Sequence, residues 1–149
     1  MGVISVASGN SCWRGLDYYK NNKVKKLIKI NENEYKSIVK GNSEYEVYLN
    51  TEHVRKSKCN CPYANGKLII CKHIVATYFQ AFPEEAINFE KEQERLEEEY
   101  EKEQEELYDK VIKYLYKMKK EELINEIINI FDYGPECIYK DFIRRNYID

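Results

Sequence analysis

Four metal-binding side chains within fifteen residues constrain this chain more than any other feature of its sequence. The stretch CNCPYANGKLIICKH places Cys59 and Cys61 two residues apart and, after nine intervening residues, Cys71 and His73 in the same spacing. Zn²⁺ takes four such ligands in a tetrahedron, with Zn–S distances of ~2.3 Å, so sulfurs that share one metal lie within roughly 4 Å of each other. The spacing therefore predicts one structural Zn²⁺ bound by Cys59, Cys61, Cys71 and His73.

The two-residue spacing within each pair also predicts the local backbone. In an extended chain, side chains two apart point to the same side. On a helix they lie nearly opposite each other, so they do not converge on one ion. We therefore expect Cys59 and Cys61 in an extended segment. Cys71 and His73 are expected at the junction between a loop and a helix that continues through Phe79.

The ligand pattern and its flanks resemble the SWIM-type zinc finger family. Cys-x-Cys, a variable gap and Cys-x-His form the signature of that family, and "CNCPY…CKHIVATY" agrees with it in the Pro and Lys-His-Ile that follow the cysteines. The upstream runs "RGLDYYKNNKVKKLIKI" and "YKSIVKGNSEYEVYL" resemble strands of bacterial members, so the resemblance covers residues 12–82. It implies a module that binds DNA or protein, often beside a Snf-like helicase.

The pattern of apolar and turn residues predicts the α+β class, with a small antiparallel sheet in a ββα-like finger. Strand-like runs bounded by turn residues cover 24–30, 34–39, 45–49 and 51–58. Residues 1–11 are expected to form a loose lead-in. Trp13 and the nearby tyrosines either pack on the sheet or stack on bases. The finger module is predicted to occupy residues 1–83.

A helical region is expected over residues 84–149. Pro83 ends the finger helix and allows a new helix to start, and no breaker interrupts residues 84–120. Two shorter amphipathic helices are expected over 121–131 and 137–147, because Gly134 and Pro135 stop the first of them. Apolar residues seven apart in the acidic helix leave a coiled-coil dimer open as an alternative to a monomer.

The net charge of −2 conceals a division between the two regions. Residues 1–83 hold 13 Lys and Arg against 6 Asp and Glu, whereas residues 84–110 hold 4 against 13. A basic half of this kind indicates a nucleic-acid partner, although a basic module neutralised by its own acidic helix shows the same pattern. The candidate nucleic-acid contacts are Trp13, Lys56, Lys58, Lys67 and Lys72.

The sequence favours recognition over catalysis. Four protein ligands close a zinc site, whereas a catalytic zinc keeps one position for water or substrate. His53 is the one other histidine, and no phosphate-binding loop, metalloprotease motif or nucleophile elbow is present. We therefore expect a DNA- or RNA-binding module or a protein-binding adaptor, with no small-molecule substrate. No apolar run approaches the ~20 residues of a membrane helix, and a cytoplasmic location is expected.

Overall fold

The computed structural model describes residues 2–146 and confirms the α+β class. Its helices are α1 (Val3–Val6), α2 (Gly9–Lys20), α3 (Lys72–Ala81), α4 (Pro83–Leu115), α5 (Lys120–Tyr133) and α6 (Glu136–Asn146). Its strands are β1 (Val24–Lys29), β2 (Glu34–Lys40), β3 (Glu44–Asn50) and β4 (Lys58–Cys59), and Val54–Lys56 form a 3₁₀ turn. Across residues 2–146, no helix has the length and apolarity to cross a membrane.

The strands form one antiparallel sheet in the order β1-β2-β3-β4. Side chains alternate between the two faces of a strand, and β2 follows this rule, with Tyr35 and Val39 buried and Lys36 exposed. Ser37 lies on the buried face, where its Oγ is 2.6 Å from Thr77 Oγ1 of α3. The inner face of the sheet is therefore covered by α3, and the lysine-bearing face is the outer one.

Helices α2 and α3 pack closely together and build the core beside the sheet. A Cβ atom at Gly15 of α2 would lie 2.6 Å from Val75 Cβ of α3, so a larger residue does not fit there. Ile74 and Phe79 of α3 are fully buried, as is Leu49 of β3. The finger unit thus has an apolar centre bounded by the sheet and two helices.

The expectation of a loose lead-in over residues 1–11 is wrong for the part that the structure describes, and Met1 lies outside it. Val3 is buried within α1, and α2 begins at Gly9 after Ser8, whose Oγ accepts a hydrogen bond from the Ser11 N–H at 3.2 Å. Serine is a favoured N-cap because it satisfies a free N–H of the first turn. The glycines of α2 disfavour a helix, because glycine has a low helix propensity. The helix forms nevertheless, because packing of Leu16 in the core stabilises it.

The expectation of an extended run over residues 51–58 is also wrong, except at its end. Only Lys58 and Cys59 pair with β3, opposite Tyr48 and Val47. Before them, the Asn50 side chain accepts a hydrogen bond from the His53 N–H at 2.5 Å, which turns the chain into the 3₁₀ segment. Asparagine favours such turns because its side chain bonds to nearby backbone groups.

Contacts divide the chain into two units, of which the first ends at Glu94 and the second begins at Arg95. The start of α4 belongs to the first unit, where the Phe89 ring lies 5.4 Å from that of Trp13 and 5.8 Å from that of Phe79. The domain boundary placed at residue 83 stays a prediction.

The second unit contains the rest of α4 together with α5 and α6. The expected uninterrupted helix to residue 120 is wrong, because α4 ends at Leu115 and a turn precedes α5. The Lys119 N–H donates a hydrogen bond to Glu122 Oε2 at 2.8 Å, which caps α5 at its start. The stop before Gly134 is confirmed. The ring of Phe131 contacts those of Tyr139 and Phe142, at 5.5 and 4.9 Å.

Candidate metal centre

The four predicted ligands converge on one buried point. Their donor atoms all lie within 4.8 Å of one another, and all four residues are buried. His73 Nδ1 is 3.6 Å from Cys59 Sγ and 3.9 Å from Cys71 Sγ. Cys59 ends β4, Cys61 opens the following turn, and Cys71 caps α3. The expected junction between a loop and a helix at Cys71 is therefore confirmed.

The donor set fits Zn²⁺. Three sulfurs and one imidazole nitrogen are soft and borderline ligands, which select zinc over the oxygen-preferring Mg²⁺ and Ca²⁺. The separations of 3.6 and 3.9 Å match the roughly 4 Å edge of a zinc tetrahedron. A zinc ion held by Cys59, Cys61, Cys71 and His73 has four protein ligands, and its contribution there is to hold the finger together.

The position of Cys71 favours its thiolate form, which is the form that binds metal. A hydrogen bond from Cys59 lowers the pKa of the Cys71 thiol to about 4, and bonds from His73 and the backbone of Ile74 act in the same direction against burial. The positive end of the α3 dipole also favours a negative charge there. The same Cys59–Cys71 hydrogen bond is the largest cause of the raised pKa of Cys59.

Aromatic rings hold the imidazole of His73 in place. The Tyr45 ring stacks on it at 4.6 Å, and the Tyr18 ring meets it edge-on at 5.3 Å. A Cβ atom at Gly41 would lie 2.9 Å from the Tyr45 ring and 3.4 Å from His73 Nε2, so glycine is required for this close approach. Locking the ring keeps Nδ1 turned towards the thiols, as a metal ligand requires.

Cations line the pocket on one side of the site. Arg14 and Lys72 contribute to a pocket of about 380 Å³ that also includes Cys61 and Cys71, and no Asp or Glu among residues 2–146 lines it. Lys72 Nζ lies 4.3 Å from the centre of the Tyr18 ring. Three thiolates on a Zn²⁺ would carry a net charge of −1, and two cations in the adjoining pocket would favour that charge.

The fold and the site together define a small module held by a structural zinc. Residues 45–81, which include all four ligands, match the family model described as SWIM zinc finger. The resemblance inferred from the motif is thus confirmed for residues 45–81, which form a SWIM zinc finger. No curated protein and no solved structure gives a significant match to the chain.

The five candidate nucleic-acid contacts do not form one surface. Lys58 and Lys67 line the same groove, whereas Lys56 lies in a separate pocket with His53. Lys72 is beside the metal centre. Trp13 is half-exposed and packs edge-on against Phe89, which in turn packs against the core. Their role in binding stays a prediction.

A basic groove on the outer face of the sheet was not singled out from the sequence. This sheet groove has a volume of about 810 Å³ and is bounded by β1 to β4 and the loop between the two ligand pairs. Four lysines line it, together with one carboxylate, that of Glu46. The lysines are Lys26, Lys36, Lys58 and Lys67. The signal that could have located it is that three strands each carry a lysine, Lys26 in β1, Lys36 in β2 and Lys58 in β4.

Proposed function

We propose that this chain is a non-catalytic module that binds nucleic acid, primarily DNA, through the sheet groove. The observation that supports the proposal is the set of four lysines in one groove with a single carboxylate. Among residues 2–146, none of these four side chains forms an ion pair or a hydrogen bond. Unpaired ammonium groups gathered in this way attract phosphates and release their counterions.

The ligand count supports a module without catalytic activity. Four protein ligands leave a tetrahedral zinc without a position for water or substrate. His53 lies in the pocket beside Lys56, outside the group of metal ligands. We place the module in the cytoplasm, where cysteines serve as metal ligands or free thiols more often than as disulfides.

A second candidate function is a protein adaptor, which a different part of the molecule favours. Helix α5 exposes the isoleucines Ile124, Ile127 and Ile128, and neither α5 nor α6 has a buried residue in the described chain. An amphipathic helix with such a face fits a hydrophobic groove on another protein. In this alternative the finger acts beside a helicase of the Snf type without contacting nucleic acid.

Salt dependence separates these two functions. Labelled DNA, offered as single strand and as duplex, is titrated with the zinc-loaded chain by fluorescence anisotropy between 50 and 200 mM salt. Four lysine contacts predict a slope of log K against log salt of about −2.8 for single strands and about −3.6 for duplex. The double variant Lys58→Gln/Lys67→Gln is expected to lower the magnitude of that slope by roughly 1.4 to 1.8.

A matched control comes from β1 itself. Lys25→Gln/Lys29→Gln removes the same charge, but neither residue lines the sheet groove. We expect its slope to equal that of the unmodified chain. No binding of either DNA form at 50 mM salt would overturn the proposal and leave the adaptor. Equal losses in the two double variants would overturn the assignment to this groove.

A further inference from the structure

We infer that the sheet groove receives a single-stranded nucleic acid, with bases against its apolar side chains and phosphates on its lysines. The inference rests on the proposed function and names the form of nucleic acid that the same groove takes. It is carried by the strand register, by the exposed apolar residues of the groove and by the width of the sheet.

The strand register places lysines and apolar side chains in alternation across the outer face. Ile28 of β1 is opposite Lys36 of β2, which is opposite Tyr48 of β3, which in turn is opposite Lys58 of β4. All four residues line the sheet groove. Directly paired residues on neighbouring strands have Cβ atoms ~5 Å apart, so each apolar or aromatic group lies next to an ammonium group. This row offers phosphate contacts and base contacts side by side.

Two apolar side chains of the groove are conspicuously exposed. Ile28 is 46% exposed on the floor, and Leu68 is 73% exposed on the loop that forms the wall. The loop turns through Gly66 at a φ of +70°, a conformation suited to glycine, and carries Lys67 beside Leu68. A wall and floor that leave apolar groups in solvent are suited to the flat, apolar faces of unpaired bases.

Tyr48 contributes its ring to the groove, because its hydroxyl is engaged in a hydrogen bond. Its hydroxyl donates a hydrogen bond to Glu34 Oε1 at 2.5 Å, and the same oxygen accepts one from Asn50 Nδ2 at 3.2 Å. The bond from Tyr48 is the first cause of the lowered pKa of Glu34, so this carboxylate stays charged and engaged. A tyrosine held at its polar end keeps a defined ring orientation, as a stacking platform for a base requires.

The width of the sheet disfavours a duplex. A duplex hides the faces of its bases, and its major groove, ~12 Å wide, admits a helix or a two-stranded ribbon. Four strands spaced ~4.8 Å apart span about 14 Å before side chains are added, so the sheet cannot enter that groove to bring Ile28 and Tyr48 to the bases. Against a duplex, only the lysines would make contact. Against a single strand, the lysines and the apolar side chains would both make contact.

The test compares one oligonucleotide as single-stranded DNA, as RNA of the same sequence and as duplex DNA, each bound to the zinc-loaded full chain. We expect the single strands to bind at least tenfold more tightly than the duplex at equal salt. The variant Ile28→Ala/Leu68→Ala is expected to weaken single-strand binding five- to twentyfold without changing the salt slope or the affinity for duplex. Ile87→Ala/Leu96→Ala in α4 is the matched control, because it removes one isoleucine and one leucine side chain that are exposed and lie outside the groove.

The outcomes distinguish this inference from the proposed function. Equal or tighter binding of duplex overturns the single-strand inference, and the proposed function stands if Lys58→Gln/Lys67→Gln still flattens the salt slope. Binding of neither form overturns both. Because Leu68 is exposed, its substitution to Ala alone does not disturb the core, and an unchanged single-strand affinity in that variant overturns the inference without a concern about folding.

Discussion

The finger unit and the helical unit differ in what holds them together. Every buried residue in the described part of the chain lies between Val3 and Ala86, and the four metal ligands are among them. The unit that begins at Arg95 has amphipathic helices but no buried residue among those described. One part of the chain thus has a core and a metal site, and the other has helices whose described apolar side chains are at most partly buried.

Stability is distributed unevenly between the two units of this chain. Zinc binding is worth on the order of 10–16 kcal/mol of apparent free energy in small metal-dependent domains, which is comparable with the whole stability of a domain. In the helical unit, by contrast, Lys140 Nζ pairs with Glu136 Oε1 at 2.9 Å on the surface of α6. Exposed pairs one helical turn apart contribute ~0.3–0.5 kcal/mol each. Removing the metal should therefore affect the two units very differently.

Removal of the metal should produce the largest difference in stability between the two units. After stringent chelation we expect β1 to β3 and α3 to lose protection against hydrogen exchange, because an ~80-residue unit has a thin core and zinc supplies much of its folding free energy. Helices α5 and α6 should exchange at unchanged rates. The measurement is hydrogen exchange by mass spectrometry, with zinc content followed in parallel.

Cysteine variants provide the control for that experiment. Cys71→Ser should bind less than a tenth of the normal zinc and reproduce the effect of chelation in the finger unit. Cys137→Ser removes an exposed thiol of the helical unit and should leave zinc content and hydrogen exchange unchanged. A metal-free finger that keeps its protection would contradict the account of the zinc as structural.

Substitution of one large apolar residue in each unit gives the next largest contrast. Phe79→Ala should destabilise the finger unit by ~3–5 kcal/mol, because a fully buried phenylalanine leaves a cavity. Ile127→Ala, on the exposed side of α5, should change stability by less than ~1 kcal/mol. Urea denaturation of the zinc-loaded chain, followed by circular dichroism, measures both. A large loss for Ile127→Ala would show that a partner or a second copy covers α5 in solution.

Removal of one helix cap from each unit gives the smallest expected effect. Ser8→Ala removes the oxygen that caps α2. It should lower the free energy of unfolding of the whole finger unit by about 1 kcal/mol. Glu122→Ala removes the acceptor of the Lys119 N–H and should fray only the start of α5. Ser5→Ala is the control, since it removes an exposed serine hydroxyl whose hydrogen bond, to Gly2 O at 2.8 Å, lies outside α2. Hydrogen exchange distinguishes global from local loss. An increase in hydrogen exchange that stays local in both units would contradict the predicted difference between them.

Features encoded by short spacings could be predicted from the sequence. The ligand set needs only the two pairs in Cys59–His73, because a tetrahedral ion fixes how far apart its ligands lie. The end of α5 before Gly134 and Pro135 is likewise local. Helix α2 could not be predicted in this way, because its glycines oppose a helix and its burial against Val75 depends on a residue sixty positions away.

The sequence by itself determined that this chain binds zinc through Cys59, Cys61, Cys71 and His73, since these ligands are close along the chain and their chemistry selects the metal. Only the tertiary structure decided which lysines share a surface. Lys26, Lys36 and Lys58 lie on three different strands, and the pairing register brings them into one groove while Lys56 and Lys72 fall elsewhere. Register depends on contacts between distant residues, and a shift of one position would turn each side chain to the opposite face.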